Sequence, residues 1–208
     1  MLRRALQSQD FREPDWAPAI AELTPLLAAT LNARLPLQGR TLRLCDLARE
    51  DRVAELEFHF TLADTDGAAL LALLHEHGIA PDRRDFGAWP RLKGLMTGKI
   101  DLTFRADGRV YVVDYKSNRL PAYDAGTLAQ AMARSEYDLQ ALLYAVAVHR
   151  WLRGRLGAQY DFERHFGGAL YLFARGLAAD PAQGVVQPLL SRALVEGVDA
   201  LFAQAVQG

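Results

Sequence analysis

Thiol chemistry is almost absent from this chain of 208 residues, whose one cysteine, Cys45, has no second thiol to pair with. A disulfide framework and a cysteine-ligated zinc or iron–sulfur centre are therefore excluded. Long apolar runs are missing too. No stretch approaches the roughly 18 apolar residues of a membrane span, and LRRALQSQDFREPDW, after Met1, lacks the roughly 7–15-residue apolar core of a secretion signal. The expectation is a soluble, cytoplasmic protein. Nor is there a basic excess: 24 Lys and Arg stand against 25 Asp and Glu, a formal net charge of −1. A free-standing protein that coats nucleic acid usually carries such an excess. The cationic clusters (Arg83 and Arg84; Arg91, Lys93 and Lys99; Arg150, Arg153 and Arg155) read as solvated faces. Delivery of a polyanionic substrate would then fall to a partner.

What is present is apolar and patterned. Half the residues are hydrophobic, and a chain of this length can bury about 70% of its unfolded surface. No repeat, low-complexity tract or linker divides it, so one domain is expected. The first 50 residues are Ala- and Leu-rich with helical spacing, punctuated by Pro25 and Pro36. AELEFHFTL, from Ala54 to Leu62, alternates with period two, setting Leu56, Phe58 and Phe60 against Glu55, Glu57 and His59. GAALLALLHEHG predicts a short helix stopped by Gly78, and GIAPDRRDFGAWPR a loop. AGTLAQAMARSEYDLQALLYAVAVHRWLRGRLG supports a long helix with room for a break near Ser135 to Tyr137. ALYLFARG reads as a buried strand and SRALVEGVDALFAQAV as a terminal helix. Strands interleaved with helices indicate an α/β layer architecture.

The stretch GKIDLTFRADGRVYVVDYKSN, Gly98 to Asn118, carries the chemistry. Asp107-Gly108 between alternating runs is a strong signal for a two-residue turn. Such a turn sets Arg105 opposite Val110, Thr103 opposite Val112 and Asp101 opposite Asp114. Leu102, Phe104, Val113 and Tyr115 then point to the other face, and Lys116 joins the two aspartates. A longer loop would shift the facing by about one residue and still leave the groups within reach of a shared ion. Like charges opposed in a sheet need a compensating cation. Lys116 supplies one charge, and a hard divalent ion such as Mg²⁺ would supply more, since it uses one or two carboxylates and takes further ligands from phosphates. The competing explanation is a sheet edge kept soluble, with Asp101 capping a strand and Asp114 paired to Lys116 or an arginine.

This hairpin, together with YDLQALLYAVAVHRWLRGRL and YDFERHFGGALYLFARG further along, resembles the RecB-type nuclease domains of the PD-(D/E)xK nuclease superfamily, with good alignment from about Glu55 to Gly176. The resemblance implies an α/β fold, a restriction-endonuclease-like mixed β-sheet flanked by helices. It implies a single domain over residues 1–208: a helical N-terminal part over 1–50, a nuclease core over 54–176 and a C-terminal helix over 190–206. Asp101 and Asp114 match the family's Mg²⁺-binding aspartates, with Mn²⁺ able to substitute, and Tyr115 would lend its backbone carbonyl. Lys116 matches the lysine that positions the attacking water and steadies the phosphate. Glu55 matches the acidic residue of the preceding strand, with Glu57 a neighbouring register. Gln140 and Tyr144 match a Q-x3-Y motif that turns one helix face toward the substrate.

The implied activity is metal-dependent exodeoxyribonuclease cleavage of single- or double-stranded DNA, leaving 5′-phosphate and 3′-hydroxyl ends. RecC- and RecD-like subunits and RecA are the implied partners. One departure stands out. RecB-type nucleases carry an upstream histidine on a helix, in a G-x-x-x-H-x-x-x-E pattern, whereas the first histidine here is His59. LRRALQSQDFREPDW resembles the family's segment just C-terminal to that helix, so the expectation is a fragment, or a stand-alone relative with a depleted site, without the helicase part and that ligand and weakly active alone. His59 is the candidate substitute; His149 and His165 read as structural, His75 and His77 as surface groups. The alternative function is a catalytically impaired module that docks RecA or another repair partner.

Overall fold

The computed structural model describes residues 16–87, 90–180 and 183–203. In chain order the elements are α1 (Trp16–Asn32), β1 (Arg34–Leu37), β2 (Arg40–Arg43), β3 (Arg52–Asp66), α2 (Gly67–Glu76), β4 (Arg91–Ala106), β5 (Arg109–Lys116), α3 (Ala125–Arg134) and α4 (Tyr137–Leu156). Next come α5 (Phe162–His165), β6 (Phe166–Phe173), α6 (Ala174–Ala179), β7 (Val185–Val186) and α7 (Arg192–Ala203). Local chemistry accounts for most boundaries. Asp107 and Gly108 have φ of +51° and +78°, the two positive values a tight primed turn requires. Arg105 accordingly pairs with Val110 and Thr103 with Val112, as the turn predicts. Asp66 caps α2 by accepting from the Ala68 N–H at 2.9 Å, and Asp124 caps α3 through Gly126 and Thr127.

β3 to β7 form one five-stranded sheet in sequence order, antiparallel except for the β5–β6 pair. Parallel neighbours need a crossover connection, and α3 and α4 provide it. Both faces of the sheet are covered, in the mixed α/β arrangement expected. On one side Phe60, Val112 and Tyr171 pack with Leu74 of α2, Ala145 and Val148 of α4, and Val198 of α7. On the other, Phe104, Val113 and Leu172 pack with Leu35 and Leu37 of β1 and Leu177 of α6. Among the described residues no helix is long and apolar enough to cross a membrane.

The helical part expected through residue 50 is corrected. The helix stops at Asn32, and residues 34–43 form a two-stranded hairpin. Leu35 and Leu37 are buried while Arg34 and Pro36 are exposed, so the period is two over too short a run to stand out from its helical neighbours. Gly39, at φ +83°, makes the turn. The long helix does break where the sequence allowed it, with Glu136 at φ +50° between α3 and α4. The opening residues up to Asp15, Trp89 of the expected loop and the end of the terminal helix lie outside the described residues.

The far end of α4 is tied down by charge. Asp199 of α7 is 4% exposed; it accepts from Arg150 Nε and, at 2.6 Å, from Arg153 Nη1, with His149 Nε2 at 3.6 Å. Burial pushes this carboxyl up, but the bonds from His149, Arg150 and Arg153 prevail and hold it well below the usual carboxylate range. Asp199 therefore stabilises the fold fully above the unfolded value near pH 4, and the contribution is lost as the pH falls below it. Asp199→Ala should cost about 3 kcal/mol in urea unfolding at neutral pH. The loss should shrink in acid, and an equal loss at both pH values would refute the assignment. A second pair of variants tests the packing. A Cβ on Gly167 would lie 2.3 Å from the Tyr111 ring, whereas one on Gly154, inside α4, meets nothing within 4 Å. Calorimetry should show Gly167→Ala destabilising by about 1–3 kcal/mol and Gly154→Ala stabilising by about 0.5–1 kcal/mol.

Candidate active site

β4 and β5 pair as far as Leu102 opposite Val113 and then part. Asp114, Tyr115 and Lys116 continue against Tyr171, Leu172 and Phe173 of β6, while β4 continues against β3 alone. Asp101 and Asp114 sit on the two prongs of this fork. At Asp101 the alternation of β4 skips, for Ile100 belongs to one core cluster and Leu102, two residues on, to the other. Across from it Glu55 adopts φ +54°, a left-handed conformation costing a non-glycine residue about 1 kcal/mol or more. Where the ladder opens, the Asp101 carboxylate stands in for a main-chain carbonyl. Its Oδ2 accepts from the Tyr115 N–H at 2.8 Å.

Asp114 lies deeper, 4% exposed. Its Oδ2 is 2.6 Å from Lys116 Nζ, which also donates to Gln140 Oε1 at 2.9 Å. Gln140 Nε2 donates to the Tyr144 hydroxyl at 2.9 Å. That hydroxyl has one proton and two acceptors in reach, Asp114 Oδ1 at 3.2 Å and the Lys99 carbonyl at 3.1 Å. Asp114, Lys116, Gln140 and Tyr144 thus close a ring of side chains. The Tyr171 hydroxyl donates to the same Oε1 at 3.0 Å. With two donors on that oxygen the Gln140 amide has one workable orientation, because a flip would turn its NH₂ toward an ammonium.

Burial raises the Asp114 carboxyl above the ordinary aspartate range, and the charge of Asp101 pushes the same way; the Lys116 ion pair and the Tyr144 hydrogen bond pull it back without prevailing. Burial first, and the Asp114 charge next, raise the phenols of Tyr144 and Tyr171, which stay protonated donors. A hard divalent cation fits this donor set. The set is all oxygen, one member is buried, and the two negative charges oppose each other without full compensation.

Five of the sequence-predicted residues therefore come together: Asp101, Asp114, Lys116, Gln140 and Tyr144. Tyr115 contributes its N–H to Asp101, and its side chain is exposed. Glu55 does not join them. It is exposed, 3.4 Å from Lys99 Nζ, with Glu57 on the same ammonium at 3.7 Å. His59 is exposed on β3 opposite Thr97. Among the described residues no group of three His, Cys, Asp or Glu side chains is placed to hold a metal. Two residues were missed by sequence reasoning. The face of Tyr137 lies 3.7 Å from Lys116 Nζ and that of Tyr171 5.1 Å. Tyr137, three before Gln140, shares that helix face, which was a usable signal; Tyr171 looked like any aromatic of a buried strand.

A fork in a mixed sheet, lined by two aspartates and a lysine, is what comparison with known proteins explains. A model of the PD-(D/E)XK nuclease superfamily matches residues 1–207, and the chain belongs to that superfamily. Within it the chain is similar to RecB subunits of the RecBCD enzyme. It is 37% identical to that of Escherichia coli (strain K12) over 200 residues, 92% of this chain, and 36% identical to that of Haemophilus influenzae over 164 residues, 76% of this chain. The RecB subunit of Mycobacterium tuberculosis (strain H37Rv) is 36% identical over 213 residues, 86% of this chain. The chain spans 16%, 13% and 19% of these relatives' lengths. A RecB-like nuclease domain is thus in place, in a superfamily that generally uses divalent metal ions.

The electrostatics can be read without any cation. In a carbon-13 NMR titration of the metal-free protein, the Asp114 carboxyl should titrate above ordinary aspartates. Asp101→Asn should lower its midpoint by removing a like charge, and Tyr144→Phe should raise it by removing a bond to the ionised form. Shifts of opposite sign would show that the ring is wired differently.

Proposed function

We propose that the chain hydrolyses DNA phosphodiester bonds with Mg²⁺, Mn²⁺ serving in its place, as the nuclease part of a RecB-like protein. The observation that carries this reading is the ring around buried Asp114 at the mouth of the β4–β5 fork. Asp101 and Asp114 would hold the cation, joined by the Tyr115 main-chain carbonyl. The chemistry a bound cation would supply is polarisation of the scissile phosphate and a lowered pKa for a coordinated water. The remaining work falls to the protein. Asp114 and Gln140 aim the Lys116 ammonium, which steadies the negative charge that accumulates on the phosphate during in-line attack. Tyr144 keeps Gln140 in place and satisfies the second oxygen of Asp114. Glu55, the acidic residue the resemblance points to, stands outside this ring on the strand beside Asp101, paired with Lys99.

As the resemblance implies, cleavage would proceed from a chain end with little sequence preference. A net charge of −1 gives little long-range attraction for DNA, so binding by the chain alone should be weak and should fall steeply with salt. RecC- and RecD-like subunits are the partners that would deliver the strand.

Cleavage of end-labelled single-stranded DNA, with Mg²⁺ or Mn²⁺ titrated in, tests the reading. Asp114→Asn and Lys116→Met should each lower turnover by at least about a hundredfold. Glu55→Gln, at an exposed ion pair, should lower it by less than about tenfold. Because burial raises the Asp114 carboxyl above the ordinary aspartate range, Mn²⁺ affinity measured by calorimetry should weaken as the pH falls into that raised range, with protons released on binding there. Equal cleavage by wild type and Asp114→Asn would sink the proposal. A folded chain that cuts nothing and still captures RecA would point to the docking module.

A further inference from the structure

We propose that Tyr137 and Tyr171 are positioning residues that box the Lys116 ammonium and fix the direction of its donors. The inference rests on the reading of Lys116 as the group that meets the phosphate. A lysine head ordinarily wanders on a flexible four-carbon stem with a full hydration shell. Here its side chain is only 11% exposed. Of three N–H donors, one goes to Asp114 and one to Gln140. The Tyr137 ring face, 3.7 Å from Nζ, flanks the ammonium and keeps water from that side, leaving the third donor for the phosphate.

The two rings form one assembly. They stack on each other at 5.9 Å between centroids and 30° between planes. Tyr171, wholly buried, carries the second face at 5.1 Å and donates its hydroxyl to Gln140 Oε1, so it holds both the ammonium and the ammonium's acceptor. Tyr137 is anchored at its far end, where its hydroxyl donates to Asn118 Oδ1 at 3.3 Å. Its place is decided at the helix break. Glu136, at φ +50°, is gripped by both arms of Arg83, and Asp138 accepts from the Ala80 N–H at 2.9 Å. That clasp sets the first residue of α4 over Lys116. Ordinary core filling does not require this: leucine at 137 would serve an apolar contact and offer no face to a cation.

The test uses the full chain with Tyr137→Leu, Tyr137→Phe, Tyr171→Phe and Lys116→Met. Two readouts are taken: steady-state kcat and KM on single-stranded DNA with Mn²⁺, and the Lys116 Hε resonances of the metal-free protein labelled with ¹³C at lysine Cε. Tyr137→Leu should lower kcat about tenfold with KM little changed, and should move those protons from an upfield, ring-shielded position to that of an exposed lysine. Tyr137→Phe should restore both, because the face is kept. Tyr171→Phe should keep the shielding and lose part of kcat through Gln140. Should Tyr137→Leu not fold, phenylalanines of increasing fluorination at 137 keep the shape and weaken the face, and kcat should fall stepwise along the series. Wild-type kcat and an unshifted resonance in Tyr137→Leu would overturn the box. Wild-type kcat in Lys116→Met would instead overturn the reading of Lys116 and leave the box to be judged by the resonance alone.

Discussion

A carboxylate buried as deeply as Asp114 is the constraint around which the site is organised. Taking an ionised acid out of water costs several kcal/mol unless its oxygens are met by donors, and both are met here, Oδ2 by Lys116 and Oδ1 by Tyr144. Gln140 ties the two donors together, accepting from one and donating to the other. Burial raises the Asp114 carboxyl, and the charge of Asp101 nearby pushes the same way. A fully satisfied buried network rigidifies its members. One that still holds excess negative charge is also ready for a cation.

Each member of the ring makes a demand on the fold. β5 must continue past the end of its pairing with β4, so that Asp114 and Lys116 are supported by β6 alone. Since β6 runs parallel to β5, the chain must cross over the sheet, and the crossover brings α4 with Gln140 and Tyr144 above the fork. α4 is then held at both ends. The Arg83–Glu136 pair fixes its start and the Asp199 cluster its far half. A helix that supplies half of a hydrogen-bonded ring has little freedom to slide, and these two charged clasps remove what remains.

Much of this was legible in the residues. The Asp107-Gly108 turn has one low-energy geometry, so its register was given directly as far as Leu102 opposite Val113. The expected pairing of Asp101 with Asp114 is corrected, because the strands part there, and Lys116 reaches Asp114. The break before Tyr137 and the caps at Asp66 and Asp124 are local chemistry as well. The hairpin at residues 34–43 was not legible, because two buried leucines in a four-residue strand are too weak a signal against the helix that precedes them. Gln140 and Tyr144 stood out only through likeness to a known family, since glutamine and tyrosine four apart on a helix are common. Glu55 shows the opposite limit. Its strand and neighbours were read correctly, yet its backbone turns left-handed and its carboxylate goes to Lys99.

The sequence by itself determined most of the alternation of the strands, the turn between β4 and β5, and the pair of aspartates with a lysine that, within longer stretches resembling RecB-type domains, pointed to a PD-(D/E)xK nuclease. These depend on contacts between residues close along the chain, where spacing and backbone preference act directly. Tertiary structure alone decided that Tyr144 closes the ring on Asp114, that Tyr137 and Tyr171 flank Lys116, and that Asp199 gathers two arginines from another helix. Those contacts join positions far apart along the chain. No local propensity encodes them; they arise only when burying the apolar faces of sheet and helices brings the polar groups to the same place.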